Sequence, residues 1–185
     1  MKRSAFTLIE LLVAMAISAI LIGASSSVYS LFRRSISQDQ QTADFSQNAR
    51  VALDRIAREL RQTPDIVTDL PTDPSDPNTV EPHLIQFENG HLNDLSYLKY
   101  YLNGTRLEMD TIEYYFSYDP GHRVKWNAVG NGGAAPLNRV ISTQDIADNV
   151  LDFSLYGVNS IQVIITTGDG LGSSYILRTT ITPRN

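Results

Sequence analysis

The sequence predicts an α+β protein: one long N-terminal helix, from about Phe6 to about Gln62, packs its second half on an antiparallel β-sheet. Three observations predict it. From Phe6 to Ile22 the residues are almost all apolar. In "TADFSQNARVALDRIARELRQ" the positions Phe45, Ala49, Ala52, Leu53, Ile56 and Leu60 recur every three or four residues, the period of one helix face. After Pro82 short runs rich in Tyr, Phe, Val and Ile alternate with Asn-Gly, Pro-Gly and glycine-rich stretches, the pattern of strands and tight turns.

The 185 residues leave room for one domain of ordinary size plus an extra element. Net charge is −5, so no general attraction to nucleic acid or anionic lipid is expected. The chain has no cysteine, which excludes disulfides, thiolate metal sites and a cysteine nucleophile.

The first element is the apolar run. Lys2 and Arg3 precede it and Arg33 and Arg34 follow it, with no basic residue from Ser4 to Phe32. As a helix that stretch reaches about 43 Å, more than a hydrocarbon core of about 30 Å. Lys2 and Arg3 favour a cytoplasmic N-terminus, and Arg33 and Arg34 weaken that preference. A secretory signal peptide would use the same pieces, with "GASSS" as its cleavage region. That reading gives Glu10 no purpose, although an ionised carboxylate in a bilayer costs roughly 2.5–3.5 kcal/mol or more.

The order of residues supplies a purpose. "RSAFTLIELLVAMAI" has a short basic leader, a small residue, Phe, Thr, two apolar residues, Glu and then a long apolar run. It closely resembles the class III signal of type IV pilins and of the pseudopilins of type II secretion. The resemblance implies that a prepilin peptidase cuts between Ala5 and Phe6 and that the new amine of Phe6 is methylated. The family usually has Gly before the cut, and this chain has Ala5, a small substitute that bears on cleavage efficiency. The expected divisions are a leader at 1–5, a membrane or filament-core helix at 6–32, an amphipathic continuation at 33–62 and a head at 63–185. After the cut the cationic amine of Phe6 lies four residues before Glu10, one helical turn away. The carboxylate can pair with that amine, or with the amine of a neighbouring subunit, which offsets much of the cost of an isolated charge. In the family this glutamate sets subunit register during assembly.

The helix then turns amphipathic. Asp44, Gln47, Arg50, Asp54, Arg58 and Arg61 occupy the other face, and Asp54/Arg58 and Arg55/Glu59 stand four apart, as on a solvated, charge-laced surface. Gly23 to Ser27 is its weakest stretch, because glycine and serine disfavour helix interiors. Pro64 ends it. "PDIVTDLPTDPSDPNTVEP" reads as a surface loop, with a brief strand at Ile66 to Val67. Asp69, Asp73, Asp76 and Glu81 are acidic enough to raise calcium, but their spacing matches no EF-hand loop and a plain acidic loop is the reading. Strands follow in "HLIQFENG" and "LSYLKYYLNGTRLEMD", with Asn103-Gly104 as a hairpin turn. "TIEYYFSYDPGHRVKW" continues with a turn at "DPGH", and "NAVGNGGAAP" reads as a mobile linker. A short amphipathic piece at "TQDIADNV" precedes the strands "VLDFSLYG", "SIQVIITT" and "YILRTTIT".

This order matches the pilin fold that the N-terminus suggests. "NARVALDRIARELRQ", "LKYYLNGTRLEMD" and "LRTTITPRN" resemble, more loosely, minor pseudopilins of the J class and W-class minor pilins. The resemblance implies a minor structural subunit that helps initiate or cap a type IV pilus-like filament or a type II secretion pseudopilus. Its partners would be other pilin or pseudopilin subunits through the N-terminal helix, the prepilin peptidase and the cytoplasmic membrane, with the head outside the cytoplasm. Catalysis is not expected: His83, His91 and His122 are scattered, with no HExxH and no i,i+4 pair. "GDGLG" and "GNGG" lack the setting of a phosphate loop, and no serine sits in a nucleophile elbow. No cofactor, metal or nucleic acid is expected. A tip-displayed module for adhesion, DNA or an exported substrate, and an anchored domain without a filament role, are the other classes.

Overall fold

The computed structural model describes residues 8–72, 83–90, 95–170 and 173–183, with backbone alone at Arg34 and Gln38. Ala5, Phe6, His91 and the acidic residues Asp73, Asp76 and Glu81 lie outside the described residues. The chain divides into two compact units, 1–41 and 42–185. One helix, α1 (Leu8–Leu60), contributes to both.

Within α1 the Gly23 to Ser27 stretch stays helical. Ser25, Ser26 and Ser27 donate their hydroxyls to the carbonyls of Leu21, Ile22 and Gly23 at 2.8, 2.9 and 3.1 Å. These hydroxyls therefore share the helix's own carbonyls one turn back, a back-bonding that keeps the polar groups paired within the helix.

The second unit begins with the last turns of α1, whose residues Phe45, Ala49, Ala52, Leu53, Ile56, Ala57 and Leu60 are buried. The predicted stripe is thus the packed face, and alanine at three of its positions lets strands approach closely. The helix ends where Gln62 N–H turns to the Glu59 carbonyl, 3.1 Å. Thr63, fully buried, then places its hydroxyl 2.7 Å from the Glu88 carbonyl. Ile66 makes an isolated bridge to Phe87, the brief strand expected there.

Two antiparallel sheets follow. The first holds β1 (Leu84–Glu88), β2 (Tyr97–Asn103), β3 (Arg106–Phe116), β4 (Asp119–Val124) and β5 (Leu137–Ala147). The second holds β6 (Val150–Tyr156), β7 (Ile161–Gly168) and β8 (Ser174–Ile181) in that order. In the first sheet β5 runs along one edge of β3 from Leu107 to Tyr115, while β2 pairs the opposite edge up to Ile112 and β4 takes over at Tyr114. One core joins α1 to both sheets through Ile56, Leu60, Phe87, Tyr100, Phe153 and Ile165.

Several local expectations need correction. The β2–β3 hairpin pairs Asn103 with Arg106, so its central residues are Gly104-Thr105 and not Asn103-Gly104. Gly104 alone takes the positive φ, +64°, the arrangement of a turn with glycine first. "DPGH" is not the turn: Phe116 pairs Asp119 and Tyr115 pairs Arg123, leaving Pro120, Gly121 and His122 as a bulge in β4. A bulge is one of the few places in a sheet where proline's missing donor costs nothing. "NAVGNGGAAP" contains a 3₁₀ turn, Asn131–Gly133, with Gly130 N–H on the Ala134 carbonyl at 2.9 Å. Thr143 to Ala147 of the supposed amphipathic piece belongs to β5, and Asn149 at φ 57° turns the chain into β6. Pairing with β3 makes this piece the end of a strand.

Candidate functional site

From Leu8 to Arg33 every described side chain is exposed. Between Glu10 and Arg33 stand 22 residues without a formal charge, a helical length of about 33 Å that suits a hydrocarbon core of about 30 Å. Large side chains stay bare along it: Leu8 is 78% exposed, Ile20 71% and Phe32 61%. An apolar surface of this extent marks a segment that lipid or other protein covers. At its far end the Arg33 guanidinium lies 5.8 Å from the Tyr29 ring centre, an aromatic and cationic pairing typical of an interface.

Glu10, exposed, sits in the first described turn of α1. Ala5 and Phe6 lie outside the described residues, so the predicted pairing geometry does too.

Among its described residues the second unit offers no comparable chemical centre. His83 Nδ1 lies 2.8 Å from the Phe153 carbonyl oxygen and 3.4 Å from Asp152, and His122 Nδ1 lies 3.0 Å from Asp119. Among the described residues no group of three or more His, Asp or Glu side chains is placed to hold a metal ion. The buried polar groups are instead cross-ties. Arg55 and Glu59 were expected on a solvated face, yet they reach the first sheet. Glu59 accepts from the Tyr100 hydroxyl and pairs with Arg55 at 3.3 Å, and Arg55 reaches Gln144 at 2.9 Å. Burial and the adjacent Glu59 carboxylate push the Tyr100 hydroxyl pKa up. Tyr101 shifts the same way, through burial and its 2.7 Å bond to Glu108.

A second tie escaped the sequence reading altogether. Glu113 on β3 has a side chain only 3% exposed and is gripped from both sides. Arg123 of β4 meets one oxygen, and Arg139 of β5 meets the other at 3.0 Å while lying over the Tyr115 ring. The only hint in the sequence is an acid amid aromatic residues, "TIEYYF", since its partners are ten and 26 residues away.

No curated protein and no solved structure matches the chain. Residues 1–26 do match a family model, the prokaryotic N-terminal methylation motif. That signal, joined to a long apolar N-terminal helix and antiparallel sheets, gives the chain the layout of a type IV pilin-like precursor.

Proposed function

We propose that the chain is a minor pilin or pseudopilin, a structural subunit that helps initiate or cap a type IV pilus-like filament or a type II secretion pseudopilus. One observation carries the reading: the methylation motif at 1–26 opens into a helical stretch, Leu8 to Phe32, whose apolar side chains are all exposed. Such a surface has two uses in sequence, first against lipid and then against other subunits. The prepilin peptidase cuts after Ala5, Phe6 receives the methyl group, and residues 6–32 hold the head outside the cytoplasm. Glu10 pairs with the amine of Phe6 and sets register with a neighbouring subunit. A chain that keeps this carboxylate suits a place with a subunit ahead of it, just below the tip. The looser likeness of "NARVALDRIARELRQ" and "LRTTITPRN" supports a J-class or W-class subunit. The matched motif belongs to structural proteins, and no catalytic role is assigned.

The mass of the mature protein tests this. Loss of residues 1–5 and a methylated Phe6 is the expected result, and Ala5→Leu should retain Lys2 and Arg3 in the membrane fraction. Cleavage near Ser25 to Ser27, or normal loss of five residues from the Ala5→Leu chain, would overturn the reading.

A further inference from the structure

We propose that the head binds a neutral oligosaccharide in a cleft at the β6–β7 end of the second sheet, a site that is independent of the assembly helix. Tyr156, Gln162 and Thr180 form one cross-strand row: Tyr156 pairs with Gln162 and Gln162 with Thr180. The pairs on either side of it, Leu155 with Val163 and Ile161 with Ile181, have buried side chains, so strand alternation turns the Tyr–Gln–Thr row to the opposite, outer face. Together with Thr72 and Asn159 the row lines a cavity of about 500 Å³, and none of its lining residues among the described residues is charged.

Three properties favour a sugar. The polar side chains around the cavity are uncommitted, since Thr72, Tyr156, Asn159, Gln162 and Thr180 make no side-chain hydrogen bond among the described residues. Amides and hydroxyls of this kind can each donate and accept, which suits a ligand made of hydroxyl groups. Tyr156, half-buried, adds a ring on which the apolar face of a pyranose can rest. The walls are also preorganised. Gly157 N–H donates to the Pro71 carbonyl at 2.7 Å and ties the two bordering loops together. Gly157 holds φ +117°, and a Cβ there would lie 1.9 Å from the Ser160 carbonyl oxygen, so the β6–β7 turn is fixed by its close approach. A rigid cleft spends less of its binding energy on ordering.

Arg178 stands one row further along the same face, which makes an acidic sugar the competing ligand. The test uses the full chain in a zwitterionic detergent without a sugar headgroup. Maltotetraose, cellotetraose and chitotetraose are compared with tetragalacturonate by saturation-transfer NMR and calorimetry. At least one neutral tetrasaccharide should bind, and Gln162→Ala and Asn159→Ala should each weaken it about fivefold or more, the loss of one hydrogen bond. Tyr156→Ala should weaken it further, with the unfolding midpoint of the two amide variants unchanged. Absence of transfer to all three neutral sugars, binding of tetragalacturonate alone, or affinity indifferent to all three substitutions would overturn the proposal.

Discussion

The clamp on Glu113 gives a perturbation whose size follows from exposure. Its side chain is 3% exposed, whereas Arg123 and Arg139 are 36% and 47% exposed. Water therefore screens either arginine taken alone. Replacing one of them by methionine keeps the aliphatic stem and leaves the carboxylate its other partner, so each single change should cost about 1 kcal/mol. Removing both strands a carboxylate away from water and from any cation, which should cost about 3–5 kcal/mol. The excess over the two singles, about 1–3 kcal/mol, is the coupling that a double-mutant cycle isolates. Glu113→Gln should then rescue the double variant, because a neutral amide needs no counter-charge. Urea unfolding of the detergent-solubilised chain reads these differences. The chain's one tryptophan, Trp126, is a built-in probe, since its indole N–H donates to Asp65 at 2.9 Å. Additive losses together with no rescue by glutamine would refute the reasoning.

Other expectations are direct. Gly90→Ala should lower stability by about 1–3 kcal/mol in the same assay, because its Cβ would lie 2.0 Å from the Gln62 carbonyl oxygen at the end of α1; a neutral result would mean that the turn can move aside. Tyr100 has a folded pKa above its ordinary 10.0, so the folded state keeps a proton that the unfolded chain loses. Stability should fall as pH rises past about 10, and Tyr100→Phe should flatten that fall in urea titrations at pH 9 to 11. A fragment beginning at Arg33 should be soluble and melt cooperatively by circular dichroism, because the described core of the second unit begins at Phe45. Glu10→Leu should be processed and reach the membrane at least as abundantly as the wild type while crosslinking less to partner subunits; equal crosslinking at equal abundance would remove the assembly role.

What the sequence could disclose depended on how local each interaction is. The buried stripe from Phe45 to Leu60 was legible because each member has another one helical turn away. So were β6 and β7, whose buried residues alternate. Most of β5 was not, because from Leu137 to Asp145 its residues are exposed and carry no two-residue rhythm. Its place in the sheet is written in β3, not in itself. The DPGH misreading has a similar origin: Pro-Gly advertises a turn, but the long hairpin reverses three residues earlier, at Ser117-Tyr118. The division into two sheets, and the clamp on Glu113, depend on partners far apart in the chain and leave no periodic trace. Glu10 was conspicuous for the opposite reason, as a local contradiction of its surroundings.

The serine triplet of α1 bears on how such a helix could change surroundings. A hydroxyl that relied on water, a lipid headgroup or a neighbouring helix would have to surrender that partner whenever the segment moved from one medium to another. Ser25, Ser26 and Ser27 carry their acceptors with them, on the carbonyls of Leu21, Ile22 and Gly23. Their polar inventory is the same in hydrocarbon as against another protein helix. Extraction from a bilayer into a filament would then break no hydrogen bond of theirs. The mechanical work would be set by the exchange of lipid for side chains along the apolar surface and by the fate of a single carboxylate.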